Sequence, residues 1–285
     1  VEPDGAVCWG GAVSDYLSLN RANWDERAPL HAASPEYAVD EFVADPHRLS
    51  DVVRFDRPRL GDLTGLRTVH LQCHIGTDTL SLARLGARTT GVDLSPASLV
   101  QARRLAERTG TAIEFVESDV YAAPDLLPAR AFDLVYTGIG ALGWLPSITR
   151  WADTVAALLA PGGRLFLREG HPMLWALDER VPDDLVVRFP YFETTDPIVW
   201  DDPGTYVTAD APITASTTHE WNHGLGEIVT ALLERGFTLT ALVEHRSVPW
   251  EAVPGRMTLG DDGEWRLTEH AERLPLTYTL QAVGP

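Results

Sequence analysis

The alternation of apolar and polar positions divides the chain into three zones. Through residue 60 the pattern predicts helices. Tyr16, Leu17, Leu19 and Trp24, then Tyr37, Val39, Phe42 and Val43, supply apolar faces between loop signals at Pro29, Pro35 and Pro46. This zone reads as an N-terminal helical lid over 1–60.

From Thr68 the rhythm changes to short β-rich runs alternating with helical stretches: TVHLQ, DTLSLARLGA, RTTGVD, ASLVQARRLAERTG and AIEFVES. It continues through FDLVYTG, a helical SITRWADTVAALLA, and GRLFLRE after the turn residues Pro161, Gly162 and Gly163. Such alternation predicts an α/β fold of three layers, a parallel sheet with helices on both faces. Residues 171–222 break the rhythm with seven aromatics and several prolines, and read as an inserted cap on the acceptor side. GLGEIVTALLERG then predicts a helix ending at Gly236, and FTLTALVEHRSV and LPLTYTLQAV two final strands. The expectation is one domain over 1–285, with a core at 67–170 and the final helix and strand pair at 223–285.

Composition narrows the partners. A formal charge of −18 makes nucleic acid or an anionic membrane a poor partner, because binding phosphates needs basic surface. A small molecule, apolar or aromatic, is the expected substrate, and a homodimer stays open. The 23 basic residues are all Arg, which excludes Schiff-base catalysis by lysine. Cys8 and Cys73, without a CxxC or Cys/His spacing, give neither a disulfide framework nor a zinc site. VEPDGAVCWGGAV lacks a basic start and a long apolar run, so it does not read as a signal peptide, and the cytoplasm is the expected location.

In an open α/β sheet, ligands bind at the carboxyl ends of the strands. The first strand-to-helix loop is Gln72-Cys73-His74-Ile75-Gly76-Thr77-Asp78. Gln72 and His74 stand where a fingerprint would place glycine, and only Gly76 remains. GVDLS puts Asp93 at the end of the second strand, where a carboxylate can accept from both ribose hydroxyls, with Leu94 beside it. ESDV puts Asp119 and Val120 after the third, suited to an adenine amino group. FDLVYTGIGAL opens a fourth strand into the small residues Thr137, Gly138 and Gly140, and LAPGGRLFLRE supplies the turn into the fifth.

With these elements in order, residues 67–170 resemble the class I S-adenosylmethionine-dependent methyltransferases. The resemblance implies a Rossmann-like seven-stranded sheet, mostly parallel with its last strand antiparallel. It also implies that S-adenosylmethionine is the cofactor and S-adenosylhomocysteine the product. The Gln72–Asp78 loop would cradle the methionine part, Asp93 the ribose and Asp119 the adenine, with Thr137 and Gly138 on the floor near the sulfonium. The departure lies in the first loop, where His70, Gln72 and His74 replace the usual acidic-x-Gly-x-Gly.

Transfer to an O–H, N–H or C–H acceptor also needs a proton removed. Glu169 and His171 at the end of the fifth strand, and His219 and His223 near Glu220, are the candidate bases. His219 and His223 could share a helical face. Their spacing invites a metal reading, but without the Glu of an HExxH site no metal is expected. C-methylation of an isoprenoid diphosphate is one subtype, and only that acceptor would bring Mg²⁺. An NAD-dependent oxidoreductase shares the strand and carboxylate logic but predicts GxGxxG; a non-catalytic cofactor-binding regulator is the third alternative.

Overall fold

The computed structural model describes residues 8–9, for the backbone only, 15–181, 184–209 and 211–285. The part of the N-terminal reading that falls on 1–7 and 10–14 lies outside them. A two-residue strand β1 (Cys8–Trp9) precedes helices α1 (Tyr16–Ala33), α2 (Val39–Ala44) and α3 (Asp51–Leu60). The alternating core follows as β2 (Arg67–Leu71), α4 (Thr77–Arg84), β3 (Arg88–Asp93), α5 (Pro96–Thr109), β4 (Glu114–Glu117), α6 (Ala123–Leu126), β5 (Phe132–Thr137), α7 (Ile148–Leu158) and β6 (Leu159–Gly170). Next come α8 (Pro172–Trp175), β7 (Ile198–Asp201), β8 (Thr217–Glu220), α9 (Leu225–Glu234), β9 (Thr238–His245), β10 (Met257–Leu259), β11 (Trp265–Leu267) and β12 (Thr277–Val283).

The main sheet has seven strands in the order β4-β3-β2-β5-β6-β12-β9, and β12 runs antiparallel to both of its neighbours. The order reverses between β2 and β5, so the carboxyl ends of β2, β3 and β5 border one crevice. Period-2 alternation decides what each face buries. Val69, Leu71, Val135, Leu165, Leu167 and Leu280 pack with Trp151 and Val155 of α7 and Ile228 and Leu232 of α9. Leu134, Tyr136 and Phe166, one position out of phase, pack on Val53 and Leu60 of α3 and Leu82 of α4.

Local chemistry sets the helix ends. Ser50, Ser95 and Ser147 accept main-chain N–H groups at the starts of α3, α5 and α7, and Gly110 closes α5 in the left-handed region. The Pro161-Gly162-Gly163 segment is not a separate turn. It lies inside β6, whose register against β5 shifts between Phe132 and Leu134, as a bulge.

Helix α1 departs from the sequence reading in two ways. It continues through Pro29, losing one i→i−4 bond. It also buries Asn20, Asn23 and His31, whereas Leu17, expected on an apolar face, is 37% exposed. The reason is what α1 covers. The cap strands β7 and β8 join β1 in a small sheet of order β1-β7-β8, in which one edge of β8 has no partner strand among the described residues. The Asn20 carboxamide donates to the His219 carbonyl and accepts its N–H, both at 2.9 Å. Asn23 donates to the Ala215 carbonyl at 2.8 Å, and Glu26 accepts the Thr214 N–H at 2.6 Å. Side chains spaced by three along a helix thus satisfy main-chain groups that an edge strand would leave open.

Candidate cofactor site

The first loop leaves β2 with left-handed residues at Gln72 (φ 57°), His74 (φ 49°) and Gly76 (φ 82°). Glycine normally occupies such positions, and a side chain there costs about 1–3 kcal/mol each. Neighbours explain which of the three can change. A Cβ on Gly76 would stand 2.8 Å from the Ala102 Cβ, because α4 packs closely on α5 there. Gln72 and His74 instead have room and use their side chains. The Gln72 amide donates to the Ala141 carbonyl at 2.8 Å, tying the first loop to the loop after β5. His74 reaches the lid: its Nε2 lies 2.8 Å from His31 Nδ1, and its ring centroid is 4.9 Å from that of Trp24. Burial, reinforced by Arg27, holds His31 down to about 3; burial, then His31 and Arg27, holds His74 well below the usual imidazole range.

Asp93, at the end of β3, accepts the His74 N–H at 2.7 Å on one oxygen and the Ser95 N–H at 2.9 Å on the other. Each oxygen retains a lone pair. Burial pushes this carboxyl up to about 6, against those same two N–H groups. Leu94 follows, half-buried. Asp119 caps the turn after β4, where one oxygen accepts from Tyr121 and Ala122 and the second is left over. Val120 points into the core. Thr77 and Asp78 open α4; Thr77 is buried and its carbonyl accepts the Ser81 hydroxyl, while burial raises the Asp78 carboxyl. Thr137, at the end of β5, is fully buried with an unpartnered hydroxyl, and the Gln72 amide oxygen is likewise buried and unpartnered. Such unsatisfied groups beside an open carboxylate fit a polar ligand bound across these strand ends. Gly138 adjoins them, close to His70 and Asp78.

The four expected bases do not form one group. Both oxygens of Glu169 are occupied by the N–H groups of Gly140, Ala141, Leu142 and Gly170, at 2.6 to 2.8 Å. Burial nevertheless raises its carboxyl. Glu169 therefore holds the β5 loop in place, and no oxygen faces outward as a free base. His171 caps α8 with Nδ1 and meets Glu244 through Nε2 at 3.0 Å. His223 lies between Glu193 at 2.9 Å and the carbonyls of Leu142 and Leu145. The helical pairing of His219 with His223 is corrected: His219 belongs to β8 and His223 precedes α9, because 217–220 pairs antiparallel with β7. His219 keeps an unpartnered Nδ1, and Glu220 accepts only from the nearby Thr218 hydroxyl.

Residues that the sequence reading did not place at the site complete it. Asp25 accepts from the Ser95 hydroxyl at 2.5 Å and the Ala97 N–H at 3.2 Å, fastening α1 beside Asp93. Trp24 packs edge-on against Trp144 at 5.1 Å, and Arg27 lies over the Trp24 ring at 5.3 Å. The helical spacing of Asn20, Trp24, Arg27 and His31 carried this signal, as one polar and aromatic stripe.

The chain is similar to known proteins in sequence and in fold. A family profile described as a methyltransferase domain matches residues 69–165, from within β2 into β6. This segment is similar to the methyltransferase-domain family. Ubiquinone biosynthesis O-methyltransferase of Xanthomonas euvesicatoria pv. vesicatoria (strain 85-10) is 34% identical over 160 residues, which span 54% of this chain and 59% of the relative. The chain thus covers about three-fifths of that relative's length. An S-adenosylmethionine-dependent methyltransferase from Mesorhizobium loti shares the fold at TM-score 0.55 and 23% identity, over 82% of this chain and 97% of that one. A putative one from Listeria monocytogenes does so at TM-score 0.58 and 17% identity, over 85% and 100%.

Proposed function

We propose that the protein transfers a methyl group from S-adenosylmethionine to a hydroxyl of a small-molecule acceptor. The observation that carries this reading is the gathering of Asp93, Asp119 and the left-handed first loop at one crevice, with polar capacity left unused on each. Asp93 would take the ribose hydroxyls, Asp119 the adenine amino group, and the first loop with Thr137 the methionine part. When bound, S-adenosylmethionine supplies a methyl group on a sulfonium, open to in-line attack.

The hydroxyl preference follows the relatives named O-methyltransferases. For proton removal the reading moves from Glu169 to Glu220. Burial pushes Glu220 up to about 7, near the value a base needs at neutral pH, and its one hydrogen-bond partner is the Thr218 hydroxyl.

The test incubates the protein with methyl-labelled S-adenosylmethionine and small-metabolite extracts, and searches for labelled products by mass spectrometry. A labelled ether whose formation Glu220→Gln slows by orders of magnitude is expected. Absence of any labelled product, with the donor unconsumed, would count against the activity.

A further inference from the structure

The first loop carries a histidine where the backbone suits glycine. Glycine adopts the left-handed conformation of residue 74 without strain, so the side chain there contributes something glycine cannot. Its contribution is a hydrogen-bonded chain across three elements. The Ser98 hydroxyl of α5 lies 3.2 Å from His74 Nδ1, His74 Nε2 lies 2.8 Å from His31 Nδ1 on α1, and His31 Nε2 lies 2.7 Å from the Thr205 hydroxyl in the cap. Burial keeps both imidazoles uncharged, so each ring has one donor and one acceptor nitrogen, and both are used. On the cap side, residues 205–208 are held by side chains. Among the described residues, none of their main-chain groups bonds to another main-chain group. Val207 is buried, and side chains of 31–37 supply the polar ties: His31 to Thr205, the Tyr37 hydroxyl to that of Tyr206 at 2.6 Å, and Glu36, which accepts the Thr208 N–H at 3.1 Å. The fully buried His31 ring also stacks on Tyr37 at 5.4 Å and meets Tyr206 edge-on at 4.7 Å. Its orientation therefore bears on the tyrosine pair as well as on Thr205.

We propose that His31 is a positioning residue that couples the first loop to cap segment 205–208, so that a ligand held by the loop fastens the cap. The proposal rests on the cofactor reading above. Asp93, which would take the ribose, also accepts the His74 N–H, and a ligand there fixes the backbone from which the His74 ring reaches His31. A glycine at residue 74 would leave loop and cap segment without this connection.

Hydrogen exchange at the Thr208 amide reports on the cap, and isothermal titration with S-adenosylhomocysteine reports on the loop. Both are measured on the wild type, His31→Gln and Thr205→Val, with circular dichroism showing each variant folded. Glutamine places its amide where Nε2 stands, keeping the contact to Thr205 and losing that to His74; valine keeps the shape of Thr205 and loses its hydroxyl. In the wild type, saturating S-adenosylhomocysteine is expected to slow exchange at Thr208 roughly fivefold or more, the scale of coupled sites. In each variant the ligand should still bind, within about tenfold of the wild type by reciprocity, and slow Thr208 by less than about twofold. A purely structural role for His31 would instead raise exchange equally with and without ligand. Wild-type protection retained in either variant would overturn the proposal, and so would absence of protection in the wild type once binding is shown. A loss of affinity in His31→Gln well beyond tenfold would overturn it as well, since His31 would then belong to the binding machinery itself. If the wild type does not bind S-adenosylhomocysteine, the cofactor reading fails and the coupling falls with it.

Discussion

The sheet core and its cover are held together by different forces. In the core, residues 67–170 bury continuous apolar faces: Trp151, Leu165 and Leu167 are fully buried, and α7 and α9 pack on them without a polar intermediary. The cover consists of α1 and the 171–222 cap, joined by Asn20, Asn23 and Glu26 reaching the backbone of 214–219. Apolar burial is non-directional and cumulative, so it specifies a rigid platform. Hydrogen bonds that water can replace contribute about 1 kcal/mol each on balance, so the cover can open while the core stays folded.

Four changes test that contrast. The largest effect belongs to Trp151→Ala, expected to cost about 3–5 kcal/mol of global stability in thermal or denaturant unfolding. A loss near that of a surface substitution would mean that the core does not depend on this contact. Asp93→Ala comes next, weakening S-adenosylhomocysteine by about 1.5–3 kcal/mol in titration while the melting temperature moves little. Unchanged affinity would remove Asp93 from the site.

Third is pH. Asp93 titrates near 6 because burial disfavours its charge, and hydroxyl donors need the charged form. Affinity for S-adenosylhomocysteine should therefore fall roughly tenfold between pH 7 and 5, and Asp93→Ala should abolish that dependence. The contribution of Asp93 to folding has the opposite sign. Its folded value exceeds its unfolded one, so its stabilising contribution is present at low pH and is lost as pH rises through about 6. The smallest effect is Asn20→Ala, expected to cost about 1 kcal/mol in local opening. Hydrogen exchange at the His219 amide should accelerate while core amides of β5 and β6 keep their protection. Acceleration throughout would show that cover and core open as one unit.

Legibility in the sequence follows the same division. Period-2 runs broken by helical spacing marked β2 to β6, because burial on a sheet face leaves a periodic trace. Asp93 and Asp119 were legible as strand-end carboxylates. Glu169 was not, since its position on β6 is visible but three of its four N–H partners, Gly140, Ala141 and Leu142, come from a loop whose path no local pattern states. His219 and His223 misled for a related reason: helical spacing says nothing of a remote strand, β7, that pairs with 217–220 and holds it extended. Trp24 was legible as an apolar position, but Asn20, Arg27 and His31 beside it were not, because a search for apolar faces passes over a helix that buries polar side chains. The first loop is the instructive departure. Glycine content fell, yet the left-handed backbone at Gln72 and His74 persists, supported by the Asp93 carboxylate and by contacts to Ala141 and His31.

The central claim is that this loop and the two strand-end carboxylates form a nucleoside and amino-acid binding site. Isothermal titration of the folded chain with S-adenosylhomocysteine, and in parallel with NAD⁺ and NADH, tests it most directly. Saturable binding of S-adenosylhomocysteine, one per chain, with no heat from either dinucleotide, is the predicted result. No binding of S-adenosylhomocysteine to protein shown to be folded, or saturable binding of a nicotinamide dinucleotide in its place, would contradict it.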